Sequence, residues 1–198
     1  MRCLLIIVVV ALASMAAAIG YVYSGWADVS ATGTESAPVR WVLETTRRNA
    51  VKRHAADIEV PDLSGQSLVA TGAHSFKEMC VGCHGAPGHT PMLGARYMDP
   101  QPPDLGKLAK TRTPAELFWV IKHGIRMTAM PAWGPTHSDT QLWALVALVE
   151  RLPDLSAQEF SQLASQGGDG GHDHGHSHGG TSTQPEGQGH SDHGHSMP

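Results

Sequence analysis

The chain has 198 residues and a net charge of −4 at pH 7, but the charge is spread unevenly. Residues 63–153 contain eight Lys or Arg against six Asp or Glu, whereas residues 154–198 contain six acidic side chains and no Lys or Arg. Only the middle segment has the apolar content to build a core, so the length is that of one domain with extensions. No strongly basic segment is present, so the composition gives no nucleic-acid-binding signature.

The first 26 residues contain a long uncharged apolar run, Cys3–Tyr23. As a helix this run would reach roughly 30 Å, enough to cross the hydrocarbon core of a bilayer. A signal peptide has a shorter apolar centre of about 7–15 residues before its cleavage site. The residues Ala16–Ala18 could form such a site, yet the run continues beyond them. We therefore favour an uncleaved transmembrane anchor over residues 1–26, with a cleaved signal as the alternative.

Residues 27–62 are predicted to form a juxtamembrane linker with one basic helix. The helix should begin near Pro38, which suits a first helical position, and end near His54. One interpretation is an interfacial helix held near anionic headgroups, or a docking arm for a partner. The other is a helix that packs on the following domain and turns its charges to water. The sequence leaves both open.

The most informative motif is the stretch Cys80-Val81-Gly82-Cys83-His84, which has the C-x-x-C-H pattern of c-type haem attachment. Each thiol can form a thioether with one haem vinyl group, and the histidine supplies an axial ligand to the iron. A zinc site would need a second Cys or His pair. The only other cysteine is Cys3, inside the apolar run. A thioredoxin-like redox pair would require a βαβ context, and the surroundings are predicted to be helical.

Helical periodicity and capping signals flank this motif. An apolar stripe predicts a helix from Gln66 to Met79. Capping boxes at Thr113 and Ser138 predict two further helices, the second ending at Pro153. A third box at Ser156 predicts a short, marginal helix, which we assign to residues 154–166. The predicted fold class is all-α.

The order of these features resembles a class I cytochrome c. The C-x-x-C-H motif is followed by Pro102–Leu105, then by the segment Met130–Gly134, and then by a helix that contains Trp143. The pattern is similar to membrane-anchored bacterial monohaem cytochromes c, of the type found as the c subunit of cbb-type oxidases. The resemblance covers residues 63–153 and implies a class I cytochrome c domain with one covalent haem c. It also implies a close helix crossing, for which we expect Gly72 to meet Trp143.

The resemblance implies further haem-binding residues. The backbone carbonyl of Pro103 should accept a hydrogen bond from His84, and Leu105 should pack on the haem ring. The distal motif would supply Met130 as the second axial ligand and place Trp133 beside the haem. Met130 directly precedes a proline, which favours an extended loop over a helix.

Two other side chains compete for the distal position. Met127 lies in the same segment, and a methionine here could also simply fill core space. His123, at the end of the helix begun by Thr113, could ligate iron in a bis-His arrangement, although a surface position is favoured. A Met–His pair would leave no open coordination site for a substrate, which favours electron transfer and disfavours an enzyme.

We therefore predict a membrane-tethered electron carrier with its haem domain and tail in the periplasm, on the outer face of a bacterial inner membrane. The resemblance implies redox partners such as a terminal oxidase or a quinol-oxidising complex, and no nucleic acid.

Residues 167–198 are rich in Gly, Ser, His and Asp and cannot bury a core, so we expect them to be disordered. Seven of the chain's thirteen histidines lie here and could bind copper, nickel or zinc. They are His172, His174, His176, His178, His190, His193 and His195. The alternative function is a periplasmic metal-handling protein whose haem domain is a redox accessory. The tail could also be a solvated spacer.

Overall fold

The computed structural model describes residues 1–33 and 36–169. The tail histidines lie outside these residues. Within the described part the regular secondary structure is helical and contains no strand, which confirms the predicted all-α class. The helices are α1 (Arg2–Tyr23), α2 (Ala37–Ala55), α3 (Gln66–Met79), α4 (Val81–His84), α5 (Leu105–Leu108), α6 (Pro114–His123), α7 (Asp139–Arg151) and α8 (Ala157–Gln166).

The centre of the domain is the crossing of α3 and α7. A side chain at Gly72 would overlap the carbonyl oxygen of Ala144, so glycine lets the two backbones touch. The atoms nearest to that position are backbone atoms of Ala144 and Leu145, and not the predicted Trp143 ring. The Trp143 ring instead stacks on Phe118 of α6, with 4.0 Å between ring centroids and 11° between the ring planes. The small residue therefore faces a backbone, and the aromatic side chain joins α7 to α6.

Helix α8 is an integral part of the core. Its capping box is complete, with the Ser156 hydroxyl accepting from the Glu159 backbone N–H and the Glu159 carboxylate accepting in return. Phe160 is fully buried, and its ring packs edge-to-face with the ring of Phe76, with 6.2 Å between the ring centroids. The His74 ring nitrogen Nδ1 lies 3.3 Å from the Ala164 carbonyl oxygen. The helix predicted as marginal is thus held against α3.

Helix α6 leads directly into the segment that carries the candidate distal ligand. Thr113 and Glu116 form its predicted capping box. The helix ends at Gly124, whose φ of +64° favours glycine. The Lys122 ammonium lies 2.7 Å from an Asp139 carboxylate oxygen, which joins the end of α6 to the start of α7.

Helix α2 packs on the following domain through its last turns, as one of the two interpretations predicted. Its last turns pack on α6, with Val51 and Ala55 buried and His54 stacked on Trp119 at a centroid separation of 5.3 Å. Its first half extends beyond this contact, and the side chains of Val42 and Leu43 are exposed there. The helix therefore docks through one end only.

Helix α1 has no buried residue and a mean hydropathy of 2.8. By length and composition it could cross a membrane, although a signal sequence near the N-terminus meets the same criteria. Both interpretations of the apolar run therefore remain compatible with the fold.

Candidate haem site

The two thiols of the motif lie on one tight helical turn. Cys80 lies between α3 and α4 and caps both helices. Its carbonyl oxygen accepts hydrogen bonds from the backbone N–H groups of Cys83 at 3.1 Å and His84 at 2.9 Å. Residues three apart on a helical turn share a face, so the two cysteines can reach the same planar ligand. The turn stops at Gly85, whose φ is +70° and where a side chain would press on the His89 carbonyl oxygen.

The tautomer of His84 is set by its partner. The ring nitrogen Nδ1 lies 2.8 Å from the carbonyl oxygen of Pro103, as the resemblance implied. A carbonyl can only accept, so Nδ1 carries the hydrogen and the Nε2 lone pair is left for a metal. Burial lowers the pKa of His84, and the bond to Pro103 partly offsets this effect. Near neutral pH the ring is thus favoured in the neutral form that ligates metals.

The cysteines suit covalent attachment. Both are free of disulfides and half-buried. Burial raises the pKa of the Cys80 thiol to about 12, with a smaller contribution from Cys83 nearby. Because the thiolate is disfavoured there, the site does not suit thiolate redox chemistry. A thioether has no ionisable proton, so this burial would cost it nothing.

Pro103 is positioned by the start of α5. The Asp104 side chain caps this helix by accepting from the Lys107 backbone N–H at 3.3 Å. The next residue, Leu105, is half-buried and packs against the core. The capped turn therefore places both the acceptor for His84 and one predicted haem-packing side chain.

The distal segment folds back on the end of α6. The Ile125 backbone N–H donates to the Met130 carbonyl oxygen at 3.2 Å, and the Trp133 N–H donates to the Ile121 carbonyl oxygen at 3.1 Å. A side chain at Gly124 would collide with the backbone of Pro131. Trp133 is half-buried and packs against the core. The predicted distal residues are thus brought together in one compact loop.

The two candidate methionines differ sharply in this loop. Met130 is half-buried. Met127 is 92% exposed and has a φ of +61°, a region that side-chain-bearing residues rarely adopt. His123, the other alternative, is exposed and rests on Trp119 at a centroid separation of 5.1 Å. Of these three side chains, only Met130 is partly shielded from water.

Thr128 is a site residue that the sequence reasoning missed. Its hydroxyl donates to the Ile125 carbonyl oxygen at 2.7 Å and accepts from the Met130 backbone N–H at 3.1 Å. Threonine commonly makes such local bonds to the backbone, and its position two residues before Met130 is the signal that could have revealed it. Thr128 fixes the backbone that presents Met130.

Comparison with known families gives the assignment. Residues 67–149, under half of the chain, match the family model described as "Cytochrome C oxidase, cbb3-type, subunit III". This match supports a class I c-type cytochrome-like domain over residues 67–149. No curated protein and no solved structure matches the chain.

Proteins with this cytochrome domain carry covalently bound haem c and generally transfer electrons. The residues present fit that group, since two thiols, an imidazole of fixed tautomer and a shielded thioether are available. The matched region ends at residue 149, before α8, although α8 packs on the cytochrome domain's first helix, α3.

A second metal centre would require a cluster of metal-ligating side chains. Among residues 1–33 and 36–169, no group of three or more His, Cys, Asp or Glu side chains could hold a metal ion. The predicted metal ligands of the tail lie beyond residue 169, so that hypothesis stays a prediction.

Proposed function

We propose that this protein is a membrane-tethered monohaem cytochrome that carries single electrons in the periplasm, with His84 and Met130 as the axial ligands of its haem iron. The observation that carries this proposal is the hydrogen bond from His84 Nδ1 to the Pro103 carbonyl oxygen at 2.8 Å. This bond leaves the Nε2 lone pair of the C-x-x-C-H histidine available to bind iron, which is the arrangement that haem ligation requires.

Haem c, when bound, supplies a one-electron couple between ferric and ferrous iron. The chain's contribution is to hold both axial donors and to limit the access of water. His84 is oriented by Pro103, and Met130 is presented by Thr128. With both donors engaged there is no position for a substrate, so electron transfer is favoured over catalysis. A thioether ligand also favours a higher reduction potential than a second histidine would.

The proposed location rests on α1. If α1 spans the inner membrane, Arg2 remains in the cytoplasm and the chain from residue 27 onward lies in the periplasm. Covalent attachment of haem c on that side agrees with this orientation. The family description names an oxidase subunit, which supports a terminal oxidase as a redox partner. A quinol-oxidising complex would be the matching electron donor.

The direct test is carbon monoxide binding by the full-length, haem-loaded protein. We expect a reversible one-electron reduction and a ferrous spectrum that carbon monoxide leaves unchanged at neutral pH, because both axial positions are filled. A ferrous protein that readily forms a carbon monoxide adduct would show an open coordination site and contradict electron transfer as the sole function.

The second candidate function is metal capture by the tail, favoured by its seven histidines. The test compares the full chain with a chain that stops after residue 169. This end point retains Gly167, which packs against the Ala70 carbonyl. We expect the full chain to bind Cu²⁺, Ni²⁺ or Zn²⁺ in equilibrium dialysis and the shortened chain to lose that binding, with unchanged electron-transfer rates. Equal metal binding by both chains would refute the role of the tail.

A further inference from the structure

Helix α2 has an apolar face that nothing in the described chain covers. Val39, Val42 and Leu43 are 50%, 51% and 54% exposed. They are spaced three and four residues apart, so they lie on one side of the helix. Val51 and Ala55, which dock on α6, lie on another side and are 6% and 4% exposed. We call the exposed side the free face of α2.

Basic side chains lie beside part of this face. Helix α2 contains five Lys or Arg and a single acidic residue, Glu44. By helical spacing, Arg47 lies at one edge of the free face and Arg53 lies on the same side of the helix, whereas Arg48 lies opposite. Neither Arg47 nor Arg53 forms an ion pair with any residue in the described part of the chain. A short apolar stripe flanked by cations matches a surface of anionic lipid headgroups, where each cation and each buried methylene adds to binding.

The chain also holds α2 close to a membrane. Only residues 24–36 separate α1 from α2. Even fully extended, these residues reach no further than about 45 Å. A contact between two tethered groups is effectively intramolecular, so a weak contact is sufficient. Three apolar side chains would bind a vesicle poorly from solution. The anchor already holds α2 near the membrane, so it removes most of the entropic cost of bringing α2 to the lipid surface.

A protein partner fits the free face less well. A stable protein interface buries about 800 Å² on each partner and is enriched in aromatic side chains at its centre. The nearby aromatic residue, Trp41, lies on the opposite side of α2 from Val39, Val42 and Leu43, as its spacing in the helix requires. The face is thus narrow, aliphatic and bordered by positive charge.

We propose that the free face of α2 lies on the anionic surface of the membrane that anchors α1. This inference rests on the tethering proposed above and adds a fixed orientation to it. The last turn of α2 is joined to α6 through the stack of His54 on Trp119. The end of α6 leads into the loop that presents Met130. Contact between α2 and lipid would therefore orient the haem domain relative to the membrane.

The test measures lipid contact at position 42 in the full-length, haem-loaded protein. A bimane fluorophore is attached to Val42→Cys in a Cys3→Ser background, and the protein is placed in nanodiscs with a doxyl quencher on the lipid acyl chains. Ser161→Cys, on an exposed position of α8, is the matched control. In phosphatidylglycerol discs we expect at least about threefold greater quenching at position 42 than at position 161.

Two further comparisons distinguish the contribution of lipid charge to binding from that of apolar contact. Phosphatidylcholine discs, or the double variant Arg47→Glu and Arg53→Glu in phosphatidylglycerol discs, should reduce quenching at position 42 to the level of position 161. Raising the salt from about 0.05 M to about 0.5 M should weaken the contact, because it shortens the Debye length.

The outcomes distinguish this inference from the tether. If the haem absorbance co-elutes with the discs but both positions are quenched equally, the orientation of α2 is refuted and the tether stands. Equal quenching in both lipids refutes the requirement for anionic headgroups. If the haem protein does not co-elute with discs at all, α1 is not an anchor and both proposals are refuted.

Discussion

Replacing Met130 with alanine is expected to open the sixth coordination position of the haem iron. The weak long-wavelength band of methionine sulfur bound to ferric haem should disappear, and the ferrous protein should bind carbon monoxide. The reduction potential should fall on the order of 0.1 V or more, because axial ligands set haem potentials over a range of about 0.8 V. Optical spectra and a redox titration of the haem-loaded protein measure all three effects.

Met127→Ala is the matched control for that experiment. Met127 lies three residues earlier in the same loop, but its side chain is 92% exposed. We expect its spectrum and potential to equal those of the unmodified protein. If Met127→Ala loses the long-wavelength band and Met130→Ala keeps it, the ligand assignment is wrong and the loop must rearrange when haem is bound.

Phe160→Ala is expected to lower the free energy of unfolding by about 3–5 kcal/mol, since it removes a fully buried aromatic ring and leaves a cavity. The ring contacts Phe76 of α3, and the His89 ring lies 5.9 Å away, in the loop that follows the haem motif. Its loss should therefore loosen the attachment of α8 and that loop together. Denaturant unfolding followed by circular dichroism gives the change.

Gln162→Ala provides the comparison within the same helix, because Gln162 is exposed. Its effect should stay within about 0.5 kcal/mol, as is usual for surface positions. A loss of less than about 1 kcal/mol for Phe160→Ala would show that α8 contributes little to the domain and is only loosely attached in solution.

The local chemistry of this protein could be predicted from sequence because it depends on neighbouring residues. The C-x-x-C-H motif lies within a single turn, and the capping boxes at Thr113, Ser138 and Ser156 depend on side chains three residues apart. Each pattern either forms hydrogen bonds to nearby backbone groups or binds a ligand through nearby side chains. Residues close in sequence are therefore sufficient to predict it. The all-α class and the helix starts followed from such signals.

The tertiary structure decided the contacts between distant segments. Gly72 could be recognised as a place of close approach, but the sequence did not reveal that its nearest neighbour is the backbone of Ala144. Helix α8 has a narrow apolar stripe, which packs into the hydrophobic cluster that other helices form. Helix stability in proteins comes mainly from such packing, which propensity and spacing do not encode.

The same division applies to the haem site and to α2. The sequence by itself determined the two thiols, the proximal histidine and a short choice of distal methionines. The fold added Thr128 as the residue that fixes Met130, and it separated the exposed Met127 from the shielded Met130. It also divided α2 into a docked end and a free face. Burial and hydrogen-bond geometry depend on which segments meet, and that is a property of the folded chain as a whole.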